Sequence, residues 1–385
     1  MIYNNLILNS SVYKKLASFY NMDRLPNAFI FYGDKGIGKE AHAIEFFGLL
    51  NCESNDKIKS CGVCSSCKKI KILQHEFLEI ITPLPRGKTT KNNSSLNILT
   101  DKQRDELIDH FREKGKNPYH KIEFEKANTI LINSIKGIKK SINLSIPDSK
   151  TKLYLILDAE KLCFPNQEAA NSLLKILEEP NENHLFILVT SNINKIIDTI
   201  TSRCIPIYFN NIEENKLKDY IIESSTIDND KAKIISRICM GNMRYAQELI
   251  NTYEDRINLI QELIIYLKDN KPSKWNDAFK KMNRNITLEI LNLLIIFFKD
   301  LKVLQKNDDT IHLTDCYKLY NSFLTTFSNI NCEASIKLIS NCQNYIQRNG
   351  YQNLMMMSLF LELKNILRKE KNLMFNINEW TLYSE

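Results

Sequence analysis

No apolar run in the 385-residue chain is long enough to span a bilayer, so no membrane helix is expected. The N-terminus also lacks the charged, then apolar, then small-residue pattern of a secretory signal, and the expected compartment is the cytoplasm. There is no tail of like charge either. Lys+Arg 52 against Asp+Glu 45 gives +7, spread along the chain, which permits contact with nucleic acid without demanding it. Ten cysteines would suggest disulfides in a small secreted chain, but this chain is long enough to bury a core. Four of them crowd into one segment, while Cys163, Cys204, Cys239, Cys316, Cys332 and Cys342 are scattered singly and read as buried reduced thiols. With 43% hydrophobic and 25% charged residues, the composition is that of a globular protein of two or three domains.

What is present starts with the apolar run Ala28-Phe29-Ile30-Phe31-Tyr32, which reads as a buried strand. Gly33-Asp34-Lys35-Gly36-Ile37-Gly38-Lys39-Glu40 follows, and a helix is expected from Lys39 to about Asn51. The spacing of Gly33, Gly36, Gly38 and Lys39 is that of a phosphate-binding loop, where backbone N–H groups and a lysine surround phosphates at a helix N-terminus. The competing reading is an ordinary glycine-rich turn. One position departs from the pattern: Glu40 stands where Ser or Thr binds Mg²⁺ and places a carboxylate near the nucleotide's own negative charge.

Cys52, Cys61, Cys64 and Cys67 form the second signal. Two overlapping C-x-x-C turns bring three thiolates to one point and Cys52 completes a Cys₄ set, the arrangement of structural zinc, with iron as an alternative occupant. Lys57, Lys59, Lys68 and Lys69 offset the charge of four thiolates. A redox pair is the rival reading, although redox motifs use one C-x-x-C rather than four clustered thiols.

Arg24-Leu25-Pro26-Asn27 breaks a first amphipathic helix, and Phe77 to Ile81 is a short strand. From Pro83 to His120 the chain turns polar, and an exposed, mobile insertion is expected with a short helix around Asp105 to Phe111. Its basic stretch from Arg86 reads as a solvated loop or, alternatively, as a nucleic-acid contact. Leu153 to Leu157 is a strand ending in Asp158-Ala159-Glu160. An acidic residue there suits Mg²⁺, but Ala159 occupies the place of a water-activating carboxylate, and Glu160 reads as a capping or solvent-facing residue. A helix from Asn166 to Glu178 stopped by Pro180, a strand from Leu185 to Thr190 and an extended run from Ile205 to Phe209 complete an alternating pattern. That alternation predicts a mostly parallel α/β sheet.

The order of these motifs resembles the clamp-loader subunits of bacterial DNA polymerase III, in the AAA+ class, and most of all the delta-prime type. The resemblance rests on Leu25-Pro26-Asn27-Ala28, the cysteine insertion, Asp158-Ala159-Glu160, the run from Glu168 to Pro180 and Thr199-Ile200-Thr201-Ser202-Arg203-Cys204, and it covers residues 1 to about 250. It implies an AAA+ P-loop-type α/β domain over 1–209 with a zinc knuckle at about 52–67 and the insertion at about 83–120. It further implies a small helical lid over 210–269 and an all-α collar over 270–385.

By the same resemblance, Arg203 is an arginine finger offered to ATP on a neighbouring subunit, Cys52, Cys61, Cys64 and Cys67 are zinc ligands, and Arg244 is the second sensor arginine. Surface roles for Arg203 and Arg244 stand beside these readings. Gly33, Gly36, Gly38, Lys39 and Asp158 would form a degenerate nucleotide site that holds ATP weakly or not at all and does not hydrolyse it. The implied function is loading a sliding clamp on primed DNA, with gamma/tau and delta subunits as partners. An active gamma-type ATPase and a nucleic-acid-binding adaptor are the alternatives.

Overall fold

A computed structural model describes residues 1–20, 25–54, 58–85, 99–143, 145–179, 181–306, 311–327, 330–347 and 350–368. Arg24, Lys57, the basic stretch 86–98, the helix stop at Pro180 and residues 369–385 lie outside the described residues. Five strands, β1 (Ala28–Tyr32), β2 (Leu78–Ile81), β3 (Lys152–Ile156), β4 (His184–Thr190) and β5 (Ile205–Tyr208), form one sheet in the order β2-β3-β4-β1-β5. Every neighbouring pair is parallel, and Phe31 of β1 registers with Val189 of β4 and Ile207 of β5. All seven residues of β4 are buried, as an interior parallel strand covered on both faces requires.

The helices that cover the sheet follow from their apolar faces. On one face α1 (Ser10–Tyr20) and α2 (Lys39–Asn51) meet alternate residues of β1, with Phe29 edge-on to Phe19 at 5.2 Å and to Phe46 at 6.1 Å. On the other, α5 (Ile132–Ser141), α6 (Glu168–Glu178) and α7 (Asp198–Thr201) enclose Ile30, Tyr154, Ile156, Phe186 and Leu188. Such side chains contribute about 1.5–3 kcal/mol each on burial. A parallel five-stranded sheet with helices on both faces is the mostly parallel α/β arrangement that the alternation predicts.

Two findings differ from the sequence reading. The polar segment carries α4 (Asp101–Lys116), a 16-residue helix opened by a Thr100–Gln103 capping box and burying Leu107 and Lys114, where a short exposed helix was expected. Of the six scattered cysteines, five are buried and Cys163 is only half-buried.

The rest is helical: α8 (Glu214–Ser224), α9 (Asn229–Cys239), α10 (Met243–Lys268), α11 (Pro272–Lys280), α12 (Arg284–Leu304), α13 (Tyr317–Thr326), α14 (Cys332–Gln347) and α15 (Gln352–Arg368). The seven-residue helix α3 (Ser65–Lys71) belongs to the cysteine segment, between α2 and β2. The chain separates into two compact units, Met1–Tyr220 with Cys239–Gln247, and Ile221–Ile238 with Glu248–Glu385. In the second unit Trp275 is fully buried and its indole N–H donates to the Met356 carbonyl at 2.9 Å. Buried Asp300 accepts from the N–H groups of His312 and Leu313 and from the Tyr320 hydroxyl, so its charge is fully hydrogen-bonded. No helix among the described residues is long and apolar enough to cross a membrane.

Candidate functional site

The ends of β1, β3 and β4 lie at the same edge of the parallel sheet, which is where such folds place their ligands. The glycine loop leaves β1 there. Gly33 and Gly36 have φ of +142° and +72°, and a Cβ on Gly36 would lie 1.7 Å from the Asn242 side-chain oxygen, so only glycine fits. The Met243 N–H donates to the Gly36 carbonyl at 3.1 Å, which closes residues 242–243 onto the loop. Lys39 is 7% exposed, and its ammonium donates to the loop's own carbonyls, Gly33 at 2.8 Å and Asp34 at 2.5 Å. Burial lowers its pKa to about 8.

Glu40 points into the same place. Its carboxylate accepts from the Lys114 ammonium, which is 2% exposed and also donates to the His120 carbonyl at 2.7 Å. Burial raises the Glu40 pKa, but Lys114 and Arg244 outweigh it and hold the carboxyl below its ordinary value. The Arg244 Nε donates to the Tyr119 carbonyl at 3.2 Å. Between Gly36, Lys39, Glu40, Lys114, Tyr119 and Arg244 a cavity of about 30 Å³ remains. That holds a water or two, against the roughly 300 Å³ or more of a ligand pocket.

Asp158, at a left-handed φ of 48°, pairs with Lys161 at 3.4 Å and Lys121 at 3.7 Å. Burial opposes its ionisation, and the two lysines together keep its pKa below the ordinary value. Glu160 is half-buried and accepts from the hydroxyls of Thr190 at 2.6 Å and Ser191 at 3.2 Å, tying the segment after β3 to the end of β4. His42 braces the loop from behind. It accepts the Asn9 N–H at 2.8 Å, which leaves the other ring nitrogen to donate to the Gly38 carbonyl at 2.8 Å. Burial lowers its pKa to about 4.

Arg203 lies apart from these groups. It is exposed after α7 and donates to Glu178 at 2.8 Å and to the Thr199 carbonyl at 2.9 Å.

The four cysteines do converge. Cys52 caps the end of α2, Cys64 caps the start of α3, and the four sulfurs lie within 4.8 Å of one another. Cys67 Sγ is 3.7 Å from Cys52 Sγ and 3.9 Å from Cys61 Sγ. Tetrahedral ligands about 2.3 Å from a common ion would be about 3.8 Å apart. Backbone N–H groups aim at the sulfurs: Cys61 at Cys52 (3.3 Å), Cys64 at Cys61 (3.3 Å) and Cys67 at Cys64 (3.4 Å). Glu45 of α2 fixes the base of this segment by accepting from Ser60 and from the N–H groups of Ile2 and Tyr3. The donor set and its spacing suit a metal held by four thiolates.

Residues 8–213 match the family described as DNA polymerase III, delta subunit. The chain belongs to that family. It is 25% identical over 321 residues to the DNA polymerase III subunit delta' of Bacillus subtilis, covering 81% of this chain and 82% of that protein. It is also 26% identical over 246 residues to the subunit gamma/tau of Mycoplasma genitalium, covering 63% of this chain but 34% of the other. A solved gamma subunit-related protein from Thermotoga maritima aligns over 79% of this chain and all of that one at 18% identity and a TM-score of 0.35. As a delta-family chain it keeps the loop lysine, and the acidic groups beside it are paired with Lys114, Lys121 and Lys161. None of those three lysines belongs to a sequence motif. Lys114 left a trace, since it lies two turns after Leu107 on the buried face of α4, and Lys161 follows Asp158 at i,i+3 spacing.

Proposed function

We propose that this chain is a delta-prime-type clamp-loader subunit that does not hydrolyse ATP itself and works within a multisubunit ATPase that loads a sliding clamp on primed DNA. The observation that carries the reading is the Glu40–Lys114 pair: an internal ion pair takes the place where a hydroxyl would hold Mg²⁺. Lys39 directs its donors to loop carbonyls, and the cavity of about 30 Å³ beside Lys39, Glu40 and Lys114 has room for only a water or two where phosphates would sit. The degenerate loop therefore serves as a rigid part of the domain. Its glycines and Arg244 hold the neighbouring segments in place.

Arg203 supplies the chemistry in trans. Its exposure at a surface after α7 suits a guanidinium that reaches ATP on a neighbouring gamma/tau subunit and offsets charge on the transferred phosphoryl group. Zinc held by Cys52, Cys61, Cys64 and Cys67 supplies a structural crosslink between α2 and α3. The test is ATPase activity of the loader reconstituted with Arg203→Ala. The expected loss is on the order of 10³-fold, as for other arginine fingers; activity equal to that of the parent assembly would contradict the role.

A further inference from the structure

We infer that Lys114 and Lys121 hold, as fixed ammonium groups, the positive charge that Mg²⁺ would carry at this sheet edge. The metal is then excluded by the segment from Lys114 to Lys121, and not by Glu40 alone. The inference rests on the reading of the loop as non-hydrolytic and deepens it.

Glu40 by itself explains little. Carboxylates are good ligands for Mg²⁺, so exchanging a hydroxyl for Glu40 next to Asp158 would make the place more attractive to a divalent cation. The lysines reverse that expectation. Lys114 is 2% exposed, and an ammonium so deeply buried requires the partners it has, the Glu40 carboxylate and the His120 carbonyl at 2.7 Å. Lys121 bonds Glu123 at 2.5 Å and faces Asp158 at 3.7 Å, with Lys161 on the same carboxylate at 3.4 Å. Each acidic group that would ligate the ion is already matched by a cation. Among the described residues, the four cysteines alone group as metal ligands. Both lysines are set by one stretch: α4 ends at Lys116, and Asn117 then bonds Gln247 at 2.8 Å while the Tyr119 hydroxyl accepts the Ile7 N–H at 2.8 Å. That anchoring sets the Lys114 ammonium on Glu40 and the Lys121 ammonium on Asp158.

The probe is Mn²⁺, followed by its spectroscopic signal on the full chain with its cysteine metal in place. A Lys114→Met, Lys121→Met variant, which keeps both carboxylates and removes both charges, is expected to gain one Mn²⁺ site at least tenfold tighter than any in the parent. A folded variant that gains none overturns the inference. Should that variant not fold, because Glu40 is left buried and unpaired, the same exchanges are combined with Glu40→Thr. The triple variant is expected to bind a fluorescent ATP analogue with Mg²⁺ at least tenfold more tightly than Glu40→Thr alone. Equal binding by the triple and by Glu40→Thr overturns the inference and leaves the proposed function standing. Tight Mg²⁺-dependent binding by the unaltered chain would remove that function instead.

Discussion

Two places in the first unit were marked in the sequence as ligand sites, and they have folded in opposite ways. At the cysteine segment the side chains converge with their sulfurs 3.7–3.9 Å apart and backbone N–H groups aimed at them. At the glycine loop the buried and half-buried charges are matched inside the protein: Lys39 on loop carbonyls, Glu40 on Lys114, Asp158 on Lys121 and Lys161. The first arrangement turns four thiols toward one point that could hold an ion, and the second matches its buried charges within the protein. A motif therefore announces a site only if the surrounding chain leaves its groups unsatisfied.

The largest effect that sharpens this contrast should come from the cysteines. Binding of a structural ion to four thiolates is coupled to local folding by on the order of 10 kcal/mol. Cys67→Ser should bring the metal content from one ion per chain to none and expose the amides of residues 58–75 to hydrogen exchange. Retained metal with unchanged exchange would show that the cluster is only a group of packed thiols.

Next comes Lys114→Ala, which leaves Glu40 buried without its partner and should cost about 3–5 kcal/mol in denaturant unfolding. A cost below about 1 kcal/mol would mean that the pair is solvated and that the loop is not closed by charge.

A smaller effect is expected from pH. Unfolded histidine binds its proton near pH 6.5, whereas His42 in the folded chain does so near about 4. Between those values the unfolded state holds more protons, so the stabilisation is fully present above pH 6.5 and is lost as pH falls toward 4. The span corresponds to about 3 kcal/mol. His42→Gln should flatten that slope in unfolding curves measured across the window; an unaltered slope would place the titration elsewhere.

The smallest effect belongs to Arg203. Its ion pair with Glu178 joins side chains 37% and 48% exposed, so Arg203→Ala should change stability by less than about 1 kcal/mol. That sets Arg203 apart from the buried lysines, because a large loss would make it a structural residue.

Much of the sheet was legible beforehand. Continuous apolar runs such as Ala28–Tyr32 and His184–Thr190 announce buried parallel strands, and C-x-x-C spacing brings thiols together through local turns. Contacts over long chain distances were not legible. Lys114 lies 74 residues from Glu40 in a stretch whose polarity suggested solvent, and its one trace is a lysine on the inner face of α4. Glu160 misled for the same reason, since its partners Thr190 and Ser191 arrive from the next strand. Local patterns report local geometry, while pairing of charges across the sheet edge depends on which strands become neighbours.

Calorimetric titration of the unaltered chain with ATP and Mg²⁺ decides whether the loop is closed to nucleotide. A closed loop gives no saturable heat up to millimolar nucleotide. Stoichiometric, Mg²⁺-dependent binding in the micromolar range would contradict it and make the chain an ATP-binding subunit.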